Sequence, residues 1–344
     1  MIVICIMILL SILFTSQVNL KGINSEYSSK QNTLVIKGFF VVCVFLSHIR
    51  TYADFNTLTD QWIIHFLDLL GQLMVTLFLF YSGYGVLESV KLKGEKYIHD
   101  FPSNRIAKTF FDFSFAVIMF IILGFLLKNN FSIRQILLSF TGWTSVGNSN
   151  WYMFAIFTLY IITYFSFKLI KNKTFISICI VSILSLLYVY VMSDLQPSRF
   201  SNTYLCYAGG MWFSYFKPYL DKILMKYNLL QYLMTMLLLI LFVKFYPFKS
   251  IRLMFYNFES LVFCLLVIFV SMRFCFKSKL LGWFGKYLFW IYILQRIPMI
   301  LLKYCGVADN SPMLFLTLTL LITMIMSVVS QNVTNYLKNK IWCS

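Results

Sequence analysis

Charged residues are scarce in this chain of 344 residues, at 12% of the total, whereas a soluble domain carries about 25%. Hydrophobic residues make up 60% of the sequence, and its mean hydropathy is +0.79. This composition excludes a single large water-soluble core. Repeated apolar runs of about 17–25 residues are typical of membrane-spanning helices. The sequence therefore predicts an all-α, polytopic membrane protein.

Cysteine pairs of the CxxC type are also absent, although the chain has eight cysteines. Most of these cysteines lie inside apolar runs, where a free cysteine usually serves as a small core residue. We therefore predict no metal site and no redox centre. The eight positions are Cys5, Cys43, Cys179, Cys206, Cys264, Cys275, Cys305 and Cys343.

Acidic residues are few, since 12 Asp and Glu accompany 29 Lys and Arg, for a net charge of +17. Such an excess could indicate a nucleic-acid binder. Here, however, the basic residues sit in short clusters between apolar runs and form no single face or tail, which fits membrane topology better. We expect a lipid environment and no nucleic-acid partner.

Linkers rich in Gly, Ser or Pro are missing as well, and no internal repeat is evident. The sequence therefore predicts one membrane-embedded domain over residues 31–344, preceded by a hydrophobic helix and loop over residues 1–30. No Lys or Arg precedes the opening stretch MIVICIMILLSILF, so the charged start of a signal peptide is lacking. We expect an uncleaved extra helix ahead of a body of about ten transmembrane helices. The eleven predicted spans cover about 2–15, 34–49, 62–87, 106–127, 151–167, 174–193, 203–216, 229–246, 255–272, 283–302 and 312–332.

Basic residues are distributed unequally between alternate loops. Twenty of the 29 Lys and Arg fall in one set of loops and eight in the other, and Arg296 lies within a span. The richer side is expected to be cytoplasmic. This bias predicts an external N-terminus and a cytoplasmic C-terminus.

The second predicted span, VIKGFFVVCVFLSHIR, contains both Lys37 and His48. An ionisable side chain within a span costs roughly 2.5–3.5 kcal/mol on insertion scales, which makes it a functional candidate. Eleven residues of helix give three turns plus about 20°, so the two side chains share a side, about 16 Å apart. The pattern predicts a cavity with a cation at one end and a proton acceptor at the other. Alternatively, Lys37 extends to the interface and His48 caps the outer end.

Two further motifs lie near the cytoplasmic side. The next span ends with the stretch FLFYSGYGVLES, whose small residues, among them Ser82 and Gly83, permit close backbone approach; Tyr84 follows them. Pro102 suits the first turn of a helix, and Arg105 and Lys108 follow it on one face. A helix N-terminus with two cations is suited to phosphate groups, although positive charge is also ordinary on this side of a membrane protein.

Several polar residues in other spans could complete a site around His48. A carboxylate could fix the histidine tautomer, and Asp68 and Glu259 are the candidates, although both could simply lie at an interface. Arg296 precedes Pro298, which can open a helix and release backbone groups. Arg296 fits either a substrate cavity or a buried ion pair. Trp151 begins a predicted outer helix, where it could stack on a sugar or belong to an interfacial aromatic belt.

Together these motifs resemble the acyltransferase-three family of integral-membrane O-acyltransferases, which modify bacterial surface glycans. That family has an arginine, ten residues and a histidine in its first core helix, similar to Lys37 and His48 here. Its SGF-like motif is similar to Ser82-Gly83-Tyr84, and its two arginines separated by two residues are similar to Arg105 and Lys108. The segments GNSNWYMFAIFTLY and FGKYLFWIYILQRIP add to the resemblance, which covers about residues 31 to 302. Lysine replaces arginine at 37 and 108, which keeps the charge but loses the bidentate fork.

The resemblance implies transfer of an acyl group, usually acetyl, from cytoplasmic acyl-CoA to a hydroxyl of a surface or exported polysaccharide or glycolipid. His48 would be the general base. The donor would be held by Lys37, Arg105, Lys108, Ser82, Gly83 and Tyr84, and the acceptor by Arg296 and Trp151. The expected location is the bacterial cytoplasmic membrane.

Two other functions are compatible with the sequence. A non-enzymatic flippase for a lipid-linked oligosaccharide would also contain intramembrane charges, although transporters often show internal repeats. A glycan polymerase would normally have a long external loop, and the loops here are short.

Overall fold

The computed structural model describes residues 16–19, 22–55, 57–171, 173–248 and 253–342. The predicted first span, about 2–15, therefore lies outside the described residues. The described part is dominated by helices, which confirms the all-α prediction, with one small exception. Gln17–Val18 (β1) pairs antiparallel with Phe274–Cys275 (β2), which ties the N-terminal segment to the rest of the chain.

The helices follow one another with short connections. Their bounds are α1 Lys30–Ile49, α2 Leu58–Leu70, α3 Thr76–Lys93, α4 Glu95–His99, α5 Lys108–Leu126, α6 Ile133–Ser139, α7 Trp151–Leu169, α8 Thr174–Leu195, α9 Cys206–Lys226, α10 Asn228–Phe245, α11 Leu253–Ser271, α12 Lys279–Lys286, α13 Leu288–Leu294, α14 Arg296–Tyr304, α15 Val307–Asn310 and α16 Pro312–Trp342. Three 3₁₀ turns (Gly71–Val75, Ser198–Phe200, Tyr246–Phe248) and a π-helix (Pro102–Ala107) complete the series.

Eight helical segments within the described residues are long and apolar enough to cross a membrane. Many large apolar side chains lie exposed on their outer faces, including Leu126, Ile183 and Val243. Exposed apolar surface on helices long enough to cross a bilayer is expected where lipid covers it. The chain is a polytopic membrane protein.

Two predicted spans differ from long apolar helices. The prediction over 203–216 corresponds to α9, which is helical but extends into a charged end with Lys217 and Asp221 and is not among the eight. The predicted continuous helix over 283–302 is wrong, because the chain forms α12, α13 and α14, interrupted at Tyr287 and Gln295. Pro298 lies in the first turn of α14. It cannot donate to the carbonyl of residue 294, so the break falls where a helix tolerates proline.

Two pairs of helices cross with their backbones in contact. A Cβ on Gly38 of α1 would lie 1.8 Å from the carbonyl oxygen of Leu281 in α12, and one on Gly285 of α12 would lie 1.9 Å from that of Leu34. Helices α3 and α9 repeat the arrangement, with Gly83 facing the carbonyl of Tyr207. Small residues permit this approach in membrane helices. These crossings fix α1, which carries Lys37 and His48, and α3, which carries Ser82, Gly83 and Tyr84.

Candidate active site

Lys37 and His48 lie on one uninterrupted helix, α1, as the sequence predicts. The helix begins at a cap in which the Ser29 side chain accepts a hydrogen bond from the Asn32 backbone. The amide oxygen of Asn32 also accepts from the backbone of Phe276, which anchors this end of the helix to the β2 region. With 1.5 Å of rise per residue, Lys37 and His48 are about 16 Å apart along the axis. We call their surroundings the cationic end and the imidazole end.

At the cationic end, Lys37 lies within electrostatic reach of Arg105. The Arg105 Nε donates to the Tyr97 hydroxyl at 2.9 Å, and its guanidinium lies 5.9 Å from the centre of that ring. Tyr160 is a further electrostatic neighbour of Arg105. Sequence reasoning missed both tyrosines. Tyr97 precedes Arg105 by about two helical turns, and this spacing could have predicted that the two side chains lie on the same face.

A cavity of about 690 Å³ opens beside Arg105. Its lining residues are Lys93, Lys96, Tyr97, Asp100, Asn104 and Arg105. Lys108 donates to the Asn104 side chain at 2.7 Å. Three cations and one carboxylate thus surround the cavity, which gives it an excess of positive charge suited to phosphate groups.

The expected free helix N-terminus at Pro102 is not present. The chain is already helical in α4, and the backbone N–H of Asn104 donates to the carbonyl of Asp100 at 2.9 Å. Residues Pro102–Ala107 form a π-helix that leads into α5. A π-turn accommodates a proline without the steric clash of a regular α-turn, and such turns are frequent at functional sites. Positive side chains, not free backbone amides, therefore supply the charge here.

The Ser82-Gly83-Tyr84 motif divides between two environments. Gly83 lies against the backbone of Tyr207, so close packing of α3 on α9 accounts for it. The Ser82 hydroxyl lies 3.1 Å from the Tyr160 hydroxyl. Since Tyr160 is a neighbour of Arg105, Ser82 is the member of the motif that reaches the cationic end. Tyr84 packs against Phe213, with ring centres 6.0 Å apart.

At the imidazole end, the His48 Nδ1 atom is buried and has no hydrogen-bond partner among the described residues. The charged group that acts on His48 is Arg296, at the start of α14. The Nε atom of Arg296 is likewise buried and without a partner in the described part. A buried polar atom without a partner is costly and calls for an explanation such as a ligand.

The two candidate carboxylates are engaged elsewhere. Asp68 forms an ion pair with Arg50, and its side chain is 54% exposed. Glu259 is fully buried and lies within electrostatic reach of Tyr246 and Tyr256. The structure thus brings a cation to His48, and it places Asp68 and Glu259 in other surroundings.

An aromatic cluster adjoins Arg296. The Tyr292 ring lies 5.4 Å from that of Tyr152, which in turn lies 6.0 Å from Trp151. The Tyr292 hydroxyl has the Ser149 side chain as a polar neighbour and lies within electrostatic reach of Arg296. Trp151 itself is half-buried. Sequence reasoning missed Tyr292 and Ser149, although Tyr292 precedes Arg296 by four residues, about one helical turn.

The loop after α1 also reaches this end. Burial raises the pKa of the Tyr52 hydroxyl, and the nearby Arg296 guanidinium opposes that rise. The hydroxyl therefore stays protonated at neutral pH and can donate a hydrogen bond. The imidazole end accordingly combines the His48 imidazole and the Arg296 guanidinium with the phenols of Tyr52 and Tyr292.

The chain belongs to the acyltransferase-3 family, because the family model described as "Acyltransferase domain" matches residues 35–331. This range contains every predicted site residue, from Lys37 to Arg296. No curated protein and no solved structure matches the chain significantly. Acyl transfer is therefore the class of reaction that the family assigns.

Proposed function

We propose that this acyltransferase transfers an acyl group, in the simplest case acetyl, from cytoplasmic acyl-CoA to a hydroxyl of a surface or exported glycan or glycolipid. The observation that carries the proposal is the His48 Nδ1 atom, buried without a partner on the same helix as Lys37. That helix joins an end rich in cations to an end with an available base. The protein would lie in the bacterial cytoplasmic membrane, with the cationic end facing the cytoplasm.

The cationic end suits the donor. Coenzyme A carries a diphosphate and a 3′-phosphate, and Arg105, Lys93 and Lys96 converge on one cavity. Guanidinium groups bind phosphate through charge-assisted hydrogen bonds. Lys37, within electrostatic reach of Arg105, would lie deeper, beside the pantetheine arm. An extended arm covers the separation of about 16 Å along α1, so the thioester would reach His48.

The imidazole end suits the chemistry. A sugar hydroxyl is too weakly acidic to attack a thioester unaided, and a neutral imidazole can accept its proton. In the proposed step His48 takes the hydroxyl proton, the oxygen bonds to the thioester carbonyl carbon, and the C–S bond breaks. The CoA thiolate then takes the proton from the imidazolium. The products are a glycan ester and free CoA, and no other reactant is required.

The test compares two histidine variants in membranes supplied with labelled acetyl-CoA and total cell-surface glycan. His48→Ala should abolish glycan labelling and free-CoA release, whereas His65→Ala, at an exposed position, should retain both. Equal membrane levels of the variants establish that insertion is unaffected. Full activity in His48→Ala would overturn the assignment of the base. A wild-type protein that neither labels glycan nor cleaves the thioester would instead favour the carrier function.

A further inference from the structure

Basic residues near the imidazole end fall into paired and unpaired groups. Arg50 pairs with Asp68, and Lys303 pairs with Asp309 at 2.5 Å. Arg296 and Arg199, in contrast, form no ion pair within the described part of the chain. That part contains all twelve acidic residues of the sequence, so no Asp or Glu side chain neutralises either guanidinium.

The two unpaired arginines both lie near the side chain of Tyr292. Both Arg296 and Arg199 lie within electrostatic reach of Tyr292, although Arg199 comes from the turn between α8 and α9. Tyr292 is buried, and the Ser149 side chain is a polar neighbour of its hydroxyl. Arg296 is half-buried, whereas Arg199 is exposed, so Arg296 is the cation that depends on a partner.

Other buried polar atoms add to this region. The Oε1 atom of Gln295, next to Arg296 in sequence, and the Nδ2 atom of Asn148, next to Ser149, are buried without a partner among the described residues. A cation within a membrane domain normally pairs with an acidic side chain or with backbone carbonyls. Leaving a buried donor such as the Arg296 Nε atom without an acceptor is costly. An anionic ligand would pair with the Arg296 charge and accept from two free donors, Arg296 Nε and Asn148 Nδ2. The Gln295 Oε1 atom is an acceptor and would need an O–H or N–H donor, such as a sugar hydroxyl.

We infer that Arg296, assisted by Arg199, binds an anionic group of the acceptor, a carboxylate or a phosphate, and so holds the acceptor hydroxyl at His48. This inference rests on the proposed function and adds the class of acceptor. The planar guanidinium fork matches both anions and can bind them with two parallel hydrogen bonds. Because Arg296 is the charged neighbour of His48, the anionic group would lie close to the reacting hydroxyl.

The experiment measures acetyl transfer in proteoliposomes to three acceptors with the same neutral sugar core. One is a free neutral oligosaccharide, one contains a uronic acid, and one is linked to a polyprenyl diphosphate. The wild-type protein should favour one or both anionic acceptors by roughly tenfold to a hundredfold in kcat/KM, the value expected for a charged hydrogen-bonded contact. The preferred anion distinguishes a sugar carboxylate from a lipid phosphate.

The variants separate binding from other roles. Arg296→Gln should raise KM for the anionic acceptor by roughly tenfold or more and remove the preference, with a clearly smaller change in KM for the neutral acceptor. Arg296→Lys should restore part of the preference, and Arg199→Gln should lose less of it. Arg134→Gln, at an exposed position in α6, is the control and should behave as wild type.

Three outcomes would overturn the inference. If the wild-type protein transfers acetyl equally well to all three acceptors, the proposed function is retained, but the inference that the acceptor carries an anionic group is wrong. An equal fall of kcat on neutral and anionic acceptors in Arg296→Gln, with KM unchanged, would assign Arg296 to the transition state. No transfer to any acceptor would remove the proposed function, and this inference with it.

Discussion

Gly38 of α1 lies directly against the backbone of Leu281 in α12, and the residue before this glycine is Lys37. An added Cβ would lie 1.8 Å from the Leu281 carbonyl oxygen, well inside van der Waals contact. The contact atom is backbone, so it cannot move aside as a flexible side chain would. The helix that carries both ends of the candidate site is therefore positioned by a glycine.

Gly38→Ala should separate α1 from α12 and lower stability by about 1–3 kcal/mol or more, as overpacking does. The matched control is Gly282→Ala in α12, where the nearest atom to an added Cβ is a Val35 side-chain carbon at 3.9 Å. The unfolding midpoint of each variant is measured by thermal unfolding in detergent. Equal midpoints for the two variants would show that the backbones of α1 and α12 are not in contact at Gly38.

Gly83→Ala should be equally harmful at the crossing of α3 and α9, because its Cβ would lie 2.0 Å from the Tyr207 carbonyl oxygen. Gly85→Ala, two residues further along the same helix, meets nothing within 4 Å and should be tolerated. Membrane yield and acyl transfer are the measurements. A normal yield of Gly83→Ala with a selective rise in KM for acyl-CoA would contradict packing and would favour donor binding by Gly83 itself.

Tyr97→Phe should weaken donor binding without disturbing the fold. The change removes the hydroxyl that accepts from Arg105 Nε at 2.9 Å and leaves the ring in place. Loss of a hydrogen bond to a charged group costs about 1.5–3 kcal/mol, so KM for acyl-CoA should rise roughly tenfold. Tyr164→Phe is the control, since its hydroxyl accepts from Lys168 at an exposed position. An unchanged KM for acyl-CoA in Tyr97→Phe would show that Arg105 does not bind the donor.

The membrane orientation can be tested with single cysteines. Cys305 is exposed and falls beside Lys303, on the side predicted to be external, whereas Cys275 falls in the segment predicted to be cytoplasmic. With the other seven cysteines changed to serine, a membrane-impermeant maleimide should label Cys305 in intact cells. It should label Cys275 only after permeabilisation. The reverse pattern would invert the predicted topology.

Much of the candidate site follows from local sequence. The helix α1 and the shared side of Lys37 and His48 depend only on the rise and the angle per residue, and the structure has that helix uninterrupted. The membrane class depends on apolar composition, which needs no knowledge of packing. Arg105 was also identifiable, because a charge in or beside a span stands out against its surroundings.

Tertiary structure decided the partners of these residues. Arg296 reaches His48 from a distant part of the chain, and Asp68 pairs with Arg50; sequence proximity indicates neither. The interruptions at Tyr287 and Gln295 and the π-helix at Pro102–Ala107 depend on how backbone groups are satisfied by neighbouring helices. Hydropathy indicates only whether a segment is more stable in lipid or in water. The approach of Arg296 to His48 depends on which helices pack together, and hydropathy carries no information about that.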